Sequence, residues 1–146
     1  MAARSPVVVI DDRLLIEELL VGLGTTGVVM YTTTYWYFRA CRAAALGAGG
    51  HLSGPFENLD PGQQERAVLS LLELRADIWL PDPRVTVPEM VGAARRHPRL
   101  NLLNLEAIAV GRLLDAPLWL SEEAAAGVLP EILEQEEMAW RTVVIA

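Results

Sequence analysis

The 146-residue chain predicts an α/β fold, a three-layer α/β/α sandwich around a central, mainly parallel five-stranded sheet. Short apolar runs suited to strands recur at residues 7–10, 28–30, 78–80, 117–120 and 142–145. Helical stretches with their own start and stop signals lie between them. Parallel neighbours need such crossovers, because the chain must return to the same end of the sheet before it pairs again. With 52% hydrophobic residues and no linker or repeat, residues 1–146 read as one domain with a full core.

The elements follow in order. The run VVVI at 7–10 has the β-branched character of a buried strand, and Asp11 or Asp12 then caps a helix over 13–21. Gly22, Gly24 and Gly27 end it. After the strand at 28–30, Thr32, Thr33 or Thr34 caps a helix reaching about Leu46, and residues 47–54 read as a glycine-rich loop. Asp60, Pro61 and Gln63 supply N-cap, first helical position and capping-box partner for a helix over 61–75. Thr86 and Glu89 form a second capping box, with Met90, Val91 and Ala94 on the inner face and Arg95, Arg96 and His97 at the C-terminal end before Pro98. Asn101 or Asn104 caps a helix to Leu114. Ser121 caps a last helix, which Pro130 breaks or kinks.

Composition excludes several classes. The formal charge of −7 disfavours a protein that coats polyanions through its net field. All twelve basic residues are arginine, so every cation suits bidentate pairing with carboxylate or phosphate. Cys41 is the only cysteine, which rules out a disulfide or multi-thiolate metal site within one chain and, in its alanine-rich helix, reads as an inert thiol. No run approaches the roughly 20 apolar residues of a membrane span, and the first ten residues lack a secretory leader pattern. A cytoplasmic protein with no membrane partner is the expectation.

Two segments carry a family resemblance. VVVIDDRLL near the start and NLEAIAVGRLLDAPLWLSE near the end resemble the PIN domain, the nuclease fold of VapC-type toxins. In that family an acid opens a helix that leads through a small residue and Pro into an apolar strand closed by a final acid. Asn104 through Ala116, Pro117 and Glu122 keep that spacing. The resemblance implies an RNA-acting protein in which about four carboxylates hold Mg²⁺ or Mn²⁺ and activate water against a phosphodiester. Carried over residue by residue, it assigns Asp11 and Glu122 as metal ligands and Asp11, Glu122 and Asn104 as the catalytic set. It also implies an antitoxin-like protein partner, RNA as substrate and a homodimer. Trp36, Trp79, Trp119 and Trp140 would supply apolar surface for pairing.

The chain departs from the family at two of the four acids. The segment YTTTYWYFRACRAA contains no carboxylate where one is expected near Tyr37 or Phe38, and Asn104 replaces an Asp. Glu106 is two positions, about 200°, round the helix from Asn104 and points to the opposite side. Asn101, Asn104 and Arg112 share one side. Tyr35, Arg39 and Arg42 form one face of the earlier helix, which places Arg39 or Arg42 to neutralise Asp11 and Glu122 in a metal's stead. Arg39, Arg42 and Arg112 are the candidate phosphate or RNA contacts.

Each residue also has a structural reading. Asp11 suits a helix cap, Glu122 and Glu123 suit a first helical turn, and Arg95, Arg96, His97 and Arg99 suit a helix C-terminus. Four consecutive aromatics, Tyr35 to Phe38, point around the whole helix, so most belong to the core rather than to stacked bases. His51 has no partner near it in sequence. Two classes follow: a metal-dependent endoribonuclease with weakened or lost catalysis, and a PIN-fold module that binds a protein or RNA without cleaving. A small α/β regulator of another kind also fits a doubly wound sheet. A receiver-type site lacks its usual lysine here.

Overall fold

A computed structural model describes residues 5–47 and 50–145; Ala48 and Gly49, part of the predicted 47–54 loop, lie outside the described residues, as do 1–4 and 146. The strands are β1 (Val7–Ile10), β2 (Val29–Tyr31), β3 (Ile78–Trp79), β4 (Leu118–Leu120) and β5 (Trp140–Thr142). The helices are α1 (Asp12–Leu20), α2 (Thr34–Leu46), α3 (Gly50–Glu57), α4 (Pro61–Leu72), α5 (Pro83–Arg96), α6 (Leu102–Leu114), α7 (Glu122–Ala125) and α8 (Leu129–Gln135). The sheet is parallel throughout, in the order β3-β2-β1-β4-β5.

The two-residue period of a strand builds both cores. Val8 and Ile10 turn to one face with Leu14, Leu15, Leu52, Phe56 and Leu71 of α1, α3 and α4. Val9 turns to the other with Leu118, Leu120, Leu105, Ile108 and Leu133 of β4, α6 and α8. The predicted sandwich is therefore the observed one. The order of the sheet reverses between β1 and β4, and an open α/β sheet forms its crevice at the carboxyl ends of such a pair.

Several local expectations change. Residues from Gly50 form α3 rather than loop, because Leu52 and Phe56, one turn apart, bury against α1. The second capping box does not form. Asp82 caps α5 through Arg84 N at 3.0 Å with Pro83 at its first position, and the Thr86 hydroxyl donates back to Asp82 O. Met90 and Ala94 face the core as expected, whereas Val91 is exposed. α4 stops at Leu72 rather than Arg75, which instead pairs with Glu18 and Asp77. Pro130 kinks nothing; it sits in the first turn of a separate helix, α8. β5 pairs at Trp140–Thr142, ahead of the predicted run, and Val143 and Ile145 pack on the core beyond it. Of the four aromatics only Trp36 is fully buried. Tyr37 is half-buried, and Tyr35 and Phe38 are exposed.

Candidate functional site

The loops after β1 and β4 converge through one acid. Asp11 is fully buried at the end of β1, where its Oδ1 accepts from Leu14 N at 2.9 Å and so caps α1. Its Oδ2 accepts from Ser121 N at 2.8 Å and Ser121 Oγ at 2.6 Å. Ser121 is the N-cap residue of α7 but makes no side-chain cap, because its hydroxyl is committed to Asp11. Burial, and then the charge of Asp12, push the Asp11 carboxyl up to about 6 against the pull of these three donors.

Asp12 is the acid that meets the crevice. It is 4% exposed, its Oδ1 accepts from Arg13 N, and its Oδ2 lies 3.2 Å from Arg39 Nε. Burial raises its pKa, opposed first by Arg39 and more weakly by the Arg13 N–H and by His51. A cleft of about 260 Å³ opens here, lined by Asp12, Arg39, His51, Asn101, Asn104 and Glu123 among others. Asn101 caps α6 through Asn104 N, which leaves the Asn104 side chain on the cleft wall.

The predicted site residues take separate places. Asp11 lies beneath the cleft rather than on it. Glu122 is exposed and does not line the cleft; its neighbour Glu123 does. Arg39 does act as a counter-cation, but to Asp12 rather than to Asp11 or Glu122. Arg42 stands over the exposed Phe38 ring at 5.7 Å. Arg112 lies eight residues, about 12 Å, along α6 from Asn104. It pairs there with Glu89 at 3.2 Å and Glu136 at 3.7 Å. Asn101, Asn104 and Arg112 therefore do not meet in one pocket. Arg96 and His97 also turn to Glu136, which grips Arg96 Nη2 at 2.7 Å, so those side chains tie α5 to the segment after α8.

Two contributors escaped the sequence reading. His51, assigned to a loop, comes to the cleft on α3 because that helix forms. Glu106 is 3% exposed, and its oxygens accept from Thr34 N at 3.0 Å and Tyr35 N at 2.8 Å. With the Thr33 hydroxyl on Trp36 N, it satisfies the start of α2, the helix that carries Arg39. The opposite pointing of Asn104 and Glu106 was the available signal. It separates a cleft residue from a buried anchor.

The donor set suits a divalent ion poorly. Both Asp11 oxygens are occupied by N–H and O–H donors, Asp12 is neutralised by a guanidinium, and no group of three or more His, Cys, Asp or Glu among the described residues is placed to hold a metal. Among the same residues, no helix is long and apolar enough to cross a membrane.

Fold and cleft together define an α/β protein with a partly neutralised polar crevice at its topological switch point. The chain is similar in fold to a chain in the structure of VapBC-1 from nontypeable Haemophilus influenzae, with a TM-score of 0.53 and 14% sequence identity over 93% of this chain and 97% of that one. No protein-family model matches the sequence, and no curated protein does.

Proposed function

We propose that this chain is a PIN-like protein of the VapC toxin type whose cleft works by binding, with an antitoxin-like protein as its partner, and not by metal-dependent cleavage of RNA. One observation carries the reading. Asp11, the acid that the family resemblance makes a metal ligand, gives every oxygen to Leu14 and Ser121 and has no exposed surface. A carboxylate so engaged holds two loops together, and with three donors on its two oxygens and no exposed surface it is poorly placed to ligate an ion. The Asp12–Arg39 pair compensates the charge of the second acid at this junction. The fold likeness to VapBC-1 and the sequence resemblance to VapC-type toxins support the biological context. The net charge of −7, with Arg39, Arg96 and Arg112 already paired, favours a protein partner over RNA. Homodimerisation belongs to the same reading, with Trp79, 54% exposed and stacked on Tyr31, as apolar contact surface.

A second reading keeps the nuclease. It is favoured by the meeting of Asp12, Asn104 and Glu123 on one cleft, and it would use Mg²⁺ or Mn²⁺. The deciding experiment incubates the purified protein with structured and single-stranded RNA in Mn²⁺ or EDTA, beside Asp11→Asn, Asp12→Asn and Glu122→Gln. The expected result is no Mn²⁺-dependent cleavage by any of them. Cleavage by the native protein that needs Mn²⁺ and disappears in Asp12→Asn would overturn the proposal.

A further inference from the structure

We infer that the outer face of α2 is the docking strip for an acidic amphipathic helix of the partner protein. Tyr35, Phe38, Arg42 and Ala45 follow one another at steps of three and four residues, the a and d positions of two heptads, and all four are exposed. Phe38 is 58% exposed and Leu46, beside the strip, 78%. The inner side of the same helix is already fixed by Trp36, Ala40 and Ala43, so the strip is apolar surface left over after the core is built. Its spacing identifies the occupant as a helix, because a and d side chains of one helix fit the holes of another. Its charge identifies the flank of that helix. α2 alone among the eight helices carries no acid, on a chain of net charge −7. Arg42, held over the Phe38 ring at 5.7 Å, makes no ion pair among the described residues, so its guanidinium is available to a carboxylate on the facing helix. A second copy of this chain fits less well, since a two-fold contact sets two Arg42 guanidinia in one small interface with no acid of α2 between them. RNA also fits less well, because Arg42 covers a face of Phe38 and the net field repels a polyanion. Trp36 and Arg39 of the same helix line the cleft, so a helix seated on the strip lies at the cleft rim.

This inference rests on the protein-binding reading and gives it a surface, but its test is separate from the RNA assay. Fluorescence anisotropy follows the full chain with three labelled synthetic peptides of about 21 residues, three heptads each. The first has Leu at a and d and Glu at e and g; the second keeps the seam with Lys at e and g; the third has the composition of the first in scrambled order. Like charges at e and g keep the first two from pairing with themselves. The native protein should bind the Glu peptide about tenfold more tightly than the Lys peptide and leave the scrambled one free. Phe38→Ser should lose the Glu peptide. Arg42→Glu should reverse the preference, so that the Lys peptide binds better. Both side chains are exposed, and unchanged melting midpoints separate lost binding from lost fold; if Phe38→Ser melts lower, Arg42→Glu decides alone. No binding of the Glu peptide, equal binding of the Glu and Lys peptides, or a preference that Arg42→Glu leaves unchanged overturns the assignment. A native dimer in light scattering that Phe38→Ser converts to monomer gives the strip to a second copy and also overturns it. So does single-stranded RNA bound by the native protein and lost in both variants while the Glu peptide stays free. Mn²⁺-dependent RNA cleavage would remove the binding reading of the cleft and leave the peptide result to stand or fall by itself.

Discussion

Ser121 gives both its backbone N–H and its hydroxyl to a single oxygen of Asp11, 110 residues away in sequence. The loops after two adjacent parallel strands are joined by this one contact. Deleting the hydroxyl in Ser121→Ala should cost about 1.5–3 kcal/mol at pH 7, the range for a hydrogen bond to a charged group. The loss should shrink near pH 5, where Asp11 is largely protonated. Urea denaturation at the two pH values checks both the cost and its direction.

Asp11 itself sets a pH dependence of unusual sign. Its carboxyl is raised from about 3.8 to about 6 in the folded protein, so between those values the folded state binds more protons than the unfolded one. Stability from this group is therefore fully present below about pH 4 and falls as pH rises towards 6, by about 3 kcal/mol at about 1.4 kcal/mol per unit. Comparing the pH profiles of native protein and Asp11→Asn isolates this contribution. The slope over pH 4–6 should be shallower in the variant.

Glu136 works in the opposite sense. The Arg96 hydrogen bonds, aided by His97 and Arg112, hold its carboxyl below the ordinary range. Its contribution is present above the usual glutamate pKa and fades as pH falls through the lower folded value. Glu136→Gln should destabilise by about 1–3 kcal/mol at neutral pH, because Arg96 and Arg112 lose their shared partner. That difference should shrink as pH falls below the ordinary glutamate range.

Glu106→Ala leaves the Thr34 and Tyr35 amides without acceptors at the start of α2. The expected loss is about 2 kcal/mol, with faster hydrogen exchange at those two amides. Glu106→Gln should fall between, since its amide retains one acceptor oxygen. Unchanged exchange at both amides in Glu106→Ala would remove Glu106 from its role as the anchor of α2.

Gly111 lets α6 lie against β4. A methyl group there would come to 2.5 Å from Leu118 Cδ1 and 2.6 Å from Met138 Cε. Gly111→Ala gains up to about 1 kcal/mol in helix propensity but overpacks at a cost of about 1–3 kcal/mol. A net loss is expected because Leu118 is fully buried, and trimming the clash with Met138→Ala should recover part of it. Melting of the single and double variants tests the coupling.

What the sequence determined by itself is the part written in short-range rules. The strand alternation of Val8, Val9 and Ile10, the Asp60 capping box, the short cap windows at 11–12, 32–34 and 101–104, and the strand–helix order depend on residues within about four positions of one another; the structure picks Asp11, Thr33 and Asn101 within those windows. Those features gave the parallel sandwich. At the start of α5 the stronger local signal won, Asp82 with Pro83 at the first helical position, whereas in the glycine-rich stretch that became α3 the burial of Leu52 and Phe56 decided.

Only the tertiary structure decided which side chains share the cleft. Asp11 is the extended N-cap of α1 and Asp12 its first helical residue, so the change of backbone between them sends Asp11 to Ser121 and Asp12 to Arg39. Within α7 one residue, about 100° of rotation, puts Glu123 and not Glu122 on the cleft wall. Partners such as Ser121 for Asp11, or Thr34 for Glu106, are selected by the packing of strands and helices far apart in the chain. Sequence spacing carries no record of that packing, because a charged group spends its hydrogen bonds on whatever the fold brings within about 3 Å.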